Sequence, residues 1–437
     1  MRITGGWIGA VALCAASAAL SIHASVIGTN PPAESLTRER ILTLPRGEQL
    51  LWLQYLERST RQRQADKDAL HAEMKRAGIA APIEPPHSNA AHSMPLNRPL
   101  EWYASAEARH IADVIVSFQT PAGGWGKNTD MSSNLRAPGG AYTANSLSRF
   151  LTPGDFDRPH EPEWNYVGTI DNDATTTQMN FLAKTIAAGG GDHMAVYRAA
   201  FLHGMEYLFA AQFPNGGWPQ VWPLEGGYHD AITFNDDAMT QVMELMHRVA
   251  ESRHEFSFVS EGIRRRAAEC FERGIRCILA AQIVSDGKRT VWAQQYDALT
   301  LAPVSARNFE PPAESAGESA QPLMLLMGSL SKPDAEEQGA IRAAAAWLRK
   351  TAISGQSWER SPEGGHLVAR QGTGPIWARY YQIGTEKPIF ADRDKSIHDN
   401  VSELSKERRN GYAWYTTDPL VALERFEEWN KEHPETK

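Results

Sequence analysis

Gln212-Phe213-Pro214-Asn215-Gly216-Gly217-Trp218 follows directly on an apolar run, residues 199–211, that has helical spacing. The same phrase stands upstream, where residues 105–118 lead into Gln119-Thr120-Pro121-Ala122-Gly123-Gly124-Trp125. A looser copy follows residues 261–281: Gln282-Ile283-Val284-Ser285-Asp286-Gly287, with Trp292 beyond it. Glycine stops a helix and makes the tight turn that each copy needs. Further helical runs lie between the copies, at 174–188, 237–252, 322–330 and 335–352. Repeated helix–turn–helix units with few strand signals predict an all-α fold. The expected architecture is an (α/α) toroid of helical hairpins, with long loops forming a cleft at one end.

The chain has 437 residues and a net charge of −8. That balance argues against a nucleic-acid partner. It also means that an acidic polymer would need a local positive site. Arg2, an apolar run over 8–20 and small residues ending near Ala24 or Ser25 read as a secretory signal over 1–25. The run is short for a membrane span, which leaves an uncleaved anchor as the lesser alternative. A lipoprotein reading through Cys14 is opposed by the bulky Leu13 before it. A secreted or periplasmic protein is therefore expected, with no membrane span after signal removal and, by default, a monomer. Cys270 and Cys277 would remain, seven apart on a helix and so about 10 Å apart along its axis, too far for a disulfide. Residues 26–97 read as a charged helical extension and linker, with Leu50, Leu51, Leu53 and Leu56 as one apolar patch. Residues 98–437 are expected to form the main, toroidal domain.

Two acidic clusters open helical runs: Asp171-Asn172-Asp173 and Asn235-Asp236-Asp237. Helix capping is the ordinary use of such residues. Two matched clusters suggest instead a site for a hard cation, calcium or magnesium. No Cys/His spacing resembles a zinc site. Asn172 and Asn235 stand beside those carboxylates as candidate substrate ligands. Lys127 and Asn128, after a Gly-Gly-Trp-Gly turn, are placed for a cleft rim. Trp218 offers a face for stacking on a sugar, although tryptophan is more often core. Arg307, Arg379 and Arg393 each sit among aromatics, and arginine matches a carboxylate with two parallel hydrogen bonds. Each could equally be a structural ion pair, Arg307 with Glu310 for instance. Cation ligands together with arginines suit an enzyme acting on a carboxylated polymer.

Gly-Gly-Trp-Gly-Lys-Asn (123–128), Thr-Ile-Asp-Asn-Asp-Ala-Thr-Thr-Thr (169–177), Phe-Pro-Asn-Gly-Gly-Trp-Pro-Gln (213–220) and Phe-Asn-Asp-Asp-Ala-Met (234–239) occur in a fixed order. Trp-Ala-Gln-Gln-Tyr-Asp (292–297), Ala-Arg-Asn-Phe-Glu (306–310), Trp-Ala-Arg-Tyr-Tyr (377–381) and Phe-Ala-Asp-Arg-Asp (390–394) follow. This series resembles the pectate lyases of polysaccharide lyase family 10, from about residue 100 to about residue 425. The resemblance implies calcium-dependent β-elimination of polygalacturonate on a toroid. It implies cation ligands at Asp171 and at Asp236 or Asp237, substrate-binding Arg307 and Arg379, and Arg393 as the base. An arginine base sits awkwardly with elementary chemistry, since guanidinium is ordinarily fully protonated. Asp173 has no assigned role. Triterpene cyclases also carry Gln–Trp repeats, but this chain is short for them and puts arginines where an apolar pocket belongs. A toroid lyase or hydrolase for another uronate polymer, or a cation-dependent carbohydrate-binding protein, are the remaining alternatives.

Overall fold

The computed structural model describes residues 26–435 apart from 87–93, 145–150, 159, 162, 190–192 and 331. The expected signal, 1–25, lies outside the described residues, as does part of the 80–99 linker. The described helices form two layers. Thr176–Ala188, Ala238–Ala250 and Ala316–Ser329 lie side by side in chain order. Each is backed by an outer helix: His193–Ala211, Glu261–Ala281 and Ala335–Thr351, with Pro419–Glu432 also on the last. Outer helices also touch in chain order, Ala106–Ser117 on His193–Ala211 and the latter on Glu261–Ala281. This is the expected (α/α) toroid. The reason is in the side chains: Met239, Val242, Met243, Leu245, Met246 and Val249 are all buried, so that helix is covered on most of its circumference.

The repeated phrase is the joint between hairpins. Gln119 Nε2 donates to Gly123 O in its own turn and to Ala200 O on the next outer helix, both at 2.8 Å. Gln212 does the same to Gly216 O (3.0 Å) and Cys270 O (2.9 Å). Gln282 does it to Thr290 O and Ala340 O, both at 2.9 Å. The tryptophan then turns back and donates to its own helix: Trp125 to Ile115 O, Trp218 to Leu208 O and Trp292 to Ile278 O. Gly216 is required there, because its φ is 96° and a Cβ would run into the Arg273 carbonyl. Cys270 and Cys277 are free and buried, as expected.

Two features differ from the sequence reading. Short strands are plentiful, and five of them form one antiparallel sheet in the spatial order Val26–Thr29, Ser396–His398, Lys387–Ala391, Tyr380–Gln382 and Glu314–Ser315. At two to five residues each, they are too short to show an alternating pattern. The extension also departs from expectation. It begins with a strand, and its long helix, Arg46–Ala77, turns a different face inward: Trp52, Tyr55, Ser59, Asp66, Leu70 and Met74 are buried while Leu50 and Leu51 face solvent. Trp52 and Tyr55 pack on Phe213, with ring centroids at 5.4 and 4.9 Å, and Arg136 holds Glu73 at 2.9 Å.

Candidate active site

The two acidic clusters are copies of one backbone device. Each follows a short strand, Gly168–Thr169 or Ile232–Thr233, and forms a single 3-10 turn. In each turn the second and third residues take left-handed backbone: Asn172 and Asp173 at φ 51° and 60°, Asp236 and Asp237 at 48° and 60°. Asp and Asn tolerate that region best among non-glycine residues. Neither following helix takes a side-chain cap, so the capping reading fails. The strain is held where the chain approaches a site.

Asn235 organises the floor. Its Nδ2 donates to Asp171 Oδ1 (3.0 Å) and to Asp236 Oδ2 (2.8 Å). Its Oδ1 accepts from Gln294 Nε2 (2.9 Å) and Arg379 (3.3 Å). The amide is thereby engaged within the protein, at a position that also lines the cleft. Asp171 is buried and also accepts from Lys127. Burial opposes its ionisation, but the Lys127 charge and bond, the Asn235 amide and the Arg307 charge outweigh it and hold the carboxyl below its usual range. Asp236 opens on solvent from the bottom of the cleft. Burial among protein atoms and the Asp171 charge push it up to about 6. The structure turns Asp237 elsewhere. It is pushed up to about 7 by burial and by Glu318, Asp236, Asp418 and Asp173, and it does not line the cleft with Asp171 and Asp236. Of the expected ligands, Asp171 and Asp236 are the two that line one cleft.

Asp171, Asn172, Asp236, Lys127, Arg307 and Tyr228 line this cleft together. Arg307 lies across the cleft, its guanidinium paired with Glu310 through Nε (2.9 Å) and a terminal nitrogen (2.5 Å). Burial would raise the Glu310 carboxyl, but Arg307 holds it down to about 2. Arg379 pairs with Glu318 and lies over Tyr412 at 4.8 Å. Arg393 is not among the residues lining the cleft. It sits beyond Phe309, 5.3 Å from that ring, and donates to Glu407 at 2.8 and 3.1 Å. Asn128, at φ 58°, follows Lys127 and lies outside the lining. Trp218 is 0% exposed and spent on the helix joint, which corrects its reading as a stacking platform.

Sequence reasoning missed Arg408, Glu407, Tyr412 and Gln294. Arg408 is buried, shares Glu407 with Arg393 (2.8 and 2.6 Å) and lies 4.2 Å from the Phe309 ring. Lys406-Glu407-Arg408-Arg409 reads as a solvated charge run, which hides it. The result is four arginines around Phe309 and Tyr412, of which Arg307 opens on the cleft that holds the two aspartates.

A hard cation takes six to eight oxygens in general. Among the described residues no three carboxylate, imidazole or thiol side chains come together as a metal would need. Asp171 and Asp236 do fit as a two-carboxylate seat: they share one amide, and the repulsion that raises Asp236 is what a cation would relieve. Water and a carboxylated ligand would have to supply the other oxygens.

A sequence model for a family described as pectic acid lyase matches residues 119–422. Among solved structures, a family 10 polysaccharide lyase from Cellvibrio cellulosa is 32% identical, over 78% of this chain and 97% of its own, with a TM-score of 0.65. A mutant of a family 10 polysaccharide lyase from the same organism, in complex with trigalacturonic acid, is 30% identical over 79% and 99%, with a TM-score of 0.64. No curated protein sequence matches the chain.

Proposed function

The chain belongs to the pectic acid lyase family and is a polysaccharide lyase, and on that premise we propose that it cleaves polygalacturonate by calcium-assisted β-elimination. The observation that carries this reading is the pairing of Asp171 with Asp236 through one amide, in a cleft that also holds Lys127 and Arg307. The hydrogen on C5 of a uronate is weakly acidic because a carboxylate stands next to it. Lys127 and Arg307 bind substrate carboxylates and stabilise charge as it develops there. Asp171 and Asp236 would hold Ca2+, which when bound acts as a Lewis acid on a uronate carboxylate. Loss of the C5 proton expels the C4 glycosidic oxygen and leaves a 4,5-unsaturated oligogalacturonide.

The proton acceptor expected from motif order is Arg393. Geometry precedes basicity in choosing a base, and it favours Arg307, which opens on the cleft with Asp171, over Arg393, which does not line it. Arg379 and Arg393 then offer positive charge to further carboxylates, with the buried Arg408 holding Glu407 beside Arg393. Arg307 must act against its carboxylate partner Glu310, which favours the charged form. Secretion or export to the periplasm, as a monomer, fits the signal-like start and a polymeric substrate. Among the described residues no helix is long and apolar enough to cross a membrane.

The test is ultraviolet absorbance of polygalacturonate incubated with the purified protein at alkaline pH, with calcium and with a chelator. A calcium-dependent rise is expected from the unsaturated product. A flat trace with folded protein, alongside cleavage of another uronate polymer, would move the substrate; binding without any unsaturated product would make the chain a carbohydrate-binding protein.

A further inference from the structure

The start of the extension runs past the cleft, not away from it. Val26–Thr29 pairs antiparallel with Ser396–His398, the returning strand of the hairpin whose turn carries Arg393. The Asn30 N–H extends this pairing by donating to Lys395 O at 2.8 Å, in that same turn. The Asn30 side chain, 1% exposed, reaches the other arginine loop. Its Nδ2 donates to Arg307 O (3.1 Å) and to Asn308 O (3.0 Å). Asn308 in turn donates from Nδ2 to Arg393 O at 2.7 Å. The Ser305 hydroxyl donates to Pro31 O, tying the same loop to the strap one residue later.

We propose that Asn30 is a positioning residue for the elimination: through two carbonyls it sets the Arg307 loop, and through Asn308 it fixes the Arg393 turn in the same frame. The inference rests on the lyase reading above. It makes the strap a support behind the Arg307 loop and not a tether. A loop 305–310 that carries a bidentate arginine has few backbone partners of its own, Ala306 N to Glu310 O (3.1 Å) and Glu310 N to Arg307 O (2.9 Å). The Asn30 side chain braces this loop from outside while its own N–H holds the hairpin, and Asn308 joins loop and hairpin directly. Displacing a catalytic group by an ångström costs about 100-fold in rate, so a brace of this kind acts on turnover. Asn30 precedes residue 119, where the family match begins, so the brace is supplied from outside the matched segment.

The experiment compares Asn30→Ala, Ser305→Ala and Tyr55→Phe with the wild-type full chain, on polygalacturonate with calcium, reading kcat, KM and the thermal midpoint. Tyr55 donates to Ala211 O at 2.9 Å, so its variant removes a bond of the same extension away from the cleft. Asn30→Ala is expected to lose about tenfold or more in kcat/KM, mostly in kcat, while Tyr55→Phe keeps its kcat with a similar fall in midpoint. Asn30→Ala within about twofold of wild type, or Tyr55→Phe losing as much turnover, would overturn the inference. Should Asn30→Ala fail to fold, Ser305→Ala decides: a loss of severalfold supports the brace, and unchanged turnover overturns it. A wild-type protein with no unsaturated product sinks the lyase reading and the inference together; an active wild type with an indifferent Asn30→Ala sinks the inference alone.

Discussion

Asn235 shows why neighbouring residues in a sequence need not share a task. It ties Asp171 to Asp236, while Asp237, one position on and also left-handed, has its carboxyl raised by burial and then by the charges of Glu318 and Asp236. Sequence alone marked both clusters, because short acidic motifs in loops are conspicuous. It could not choose between adjacent aspartates, since the choice is made by two backbone dihedrals. The arginines pose the same problem. Arg307 and Arg393 both sit beside aromatics in the sequence, and both lie near Phe309 in space, but only Arg307 lines the cleft. Arg307→Ala is expected to lower kcat by about 1,000-fold or more, the scale of removing a proton-transfer group. Arg307→Lys should keep some turnover with a shifted pH profile, because lysine titrates lower. Arg393→Ala should mainly raise KM. Steady-state kinetics on polygalacturonate across pH checks this, and the opposite pattern would return the base to Arg393.

At the scale of elements, the Gln–Gly–Trp phrase was legible because it repeats, and its meaning became clear only in the fold. The glutamine spans two hairpins, and the tryptophan fills the space between them. A fourth joint went unread. Trp377 donates to Leu348 O, and the Ala378 N–H donates to the Tyr381 hydroxyl as Ala293 does to Tyr296. Trp292-Ala-Gln-Gln-Tyr296 and Trp377-Ala-Arg-Tyr-Tyr381 are therefore the same unit, disguised by the long insertion ahead of the second. The inward face of Arg46–Ala77 was misjudged because Trp52 and Tyr55, not the leucines, meet Phe213. Gln212→Ala would leave the carbonyls of Gly216 and Cys270 without that donor in the core. The expected loss is about 2–3 kcal/mol, roughly 2–3 °C in thermal midpoint for a chain of this size, with KM unchanged. A raised KM at an unchanged midpoint, in calorimetry and kinetics together, would instead make the Gly-Gly-Trp loop part of the substrate surface.

Across the whole molecule, buried carboxyls set how stability depends on pH. Burial pushes Asp66 and Glu314 up to about 7 and Glu225 up to about 9. Asp237 stands at about 7 and Asp236 at about 6, with burial first and neighbouring carboxylates second. In each case the folded value lies above the unfolded one. The folded chain keeps protons that the unfolded chain has released, so this stability is fully present below about pH 4 and is lost as pH rises through 6 to 9. His229 works the other way: burial holds it down to about 3, but its contribution is complete once pH passes the unfolded histidine value, about 6.5. The metal-free thermal midpoint should therefore fall between pH 7 and pH 9. Alkaline conditions ionise Asp236 and so complete the paired seat with Asp171, which makes the cation the natural offset to that loss. Calcium should raise the midpoint more at pH 9 than at pH 5, and Asp236→Asn should abolish the calcium-dependent part while leaving the fall itself mostly in place. Scanning calorimetry with calcium and with chelator at both pH values checks this. A midpoint that stays level from pH 7 to 9 would mean that these carboxyls are ionised in the fold. An undiminished calcium effect in Asp236→Asn would place the cation on other residues.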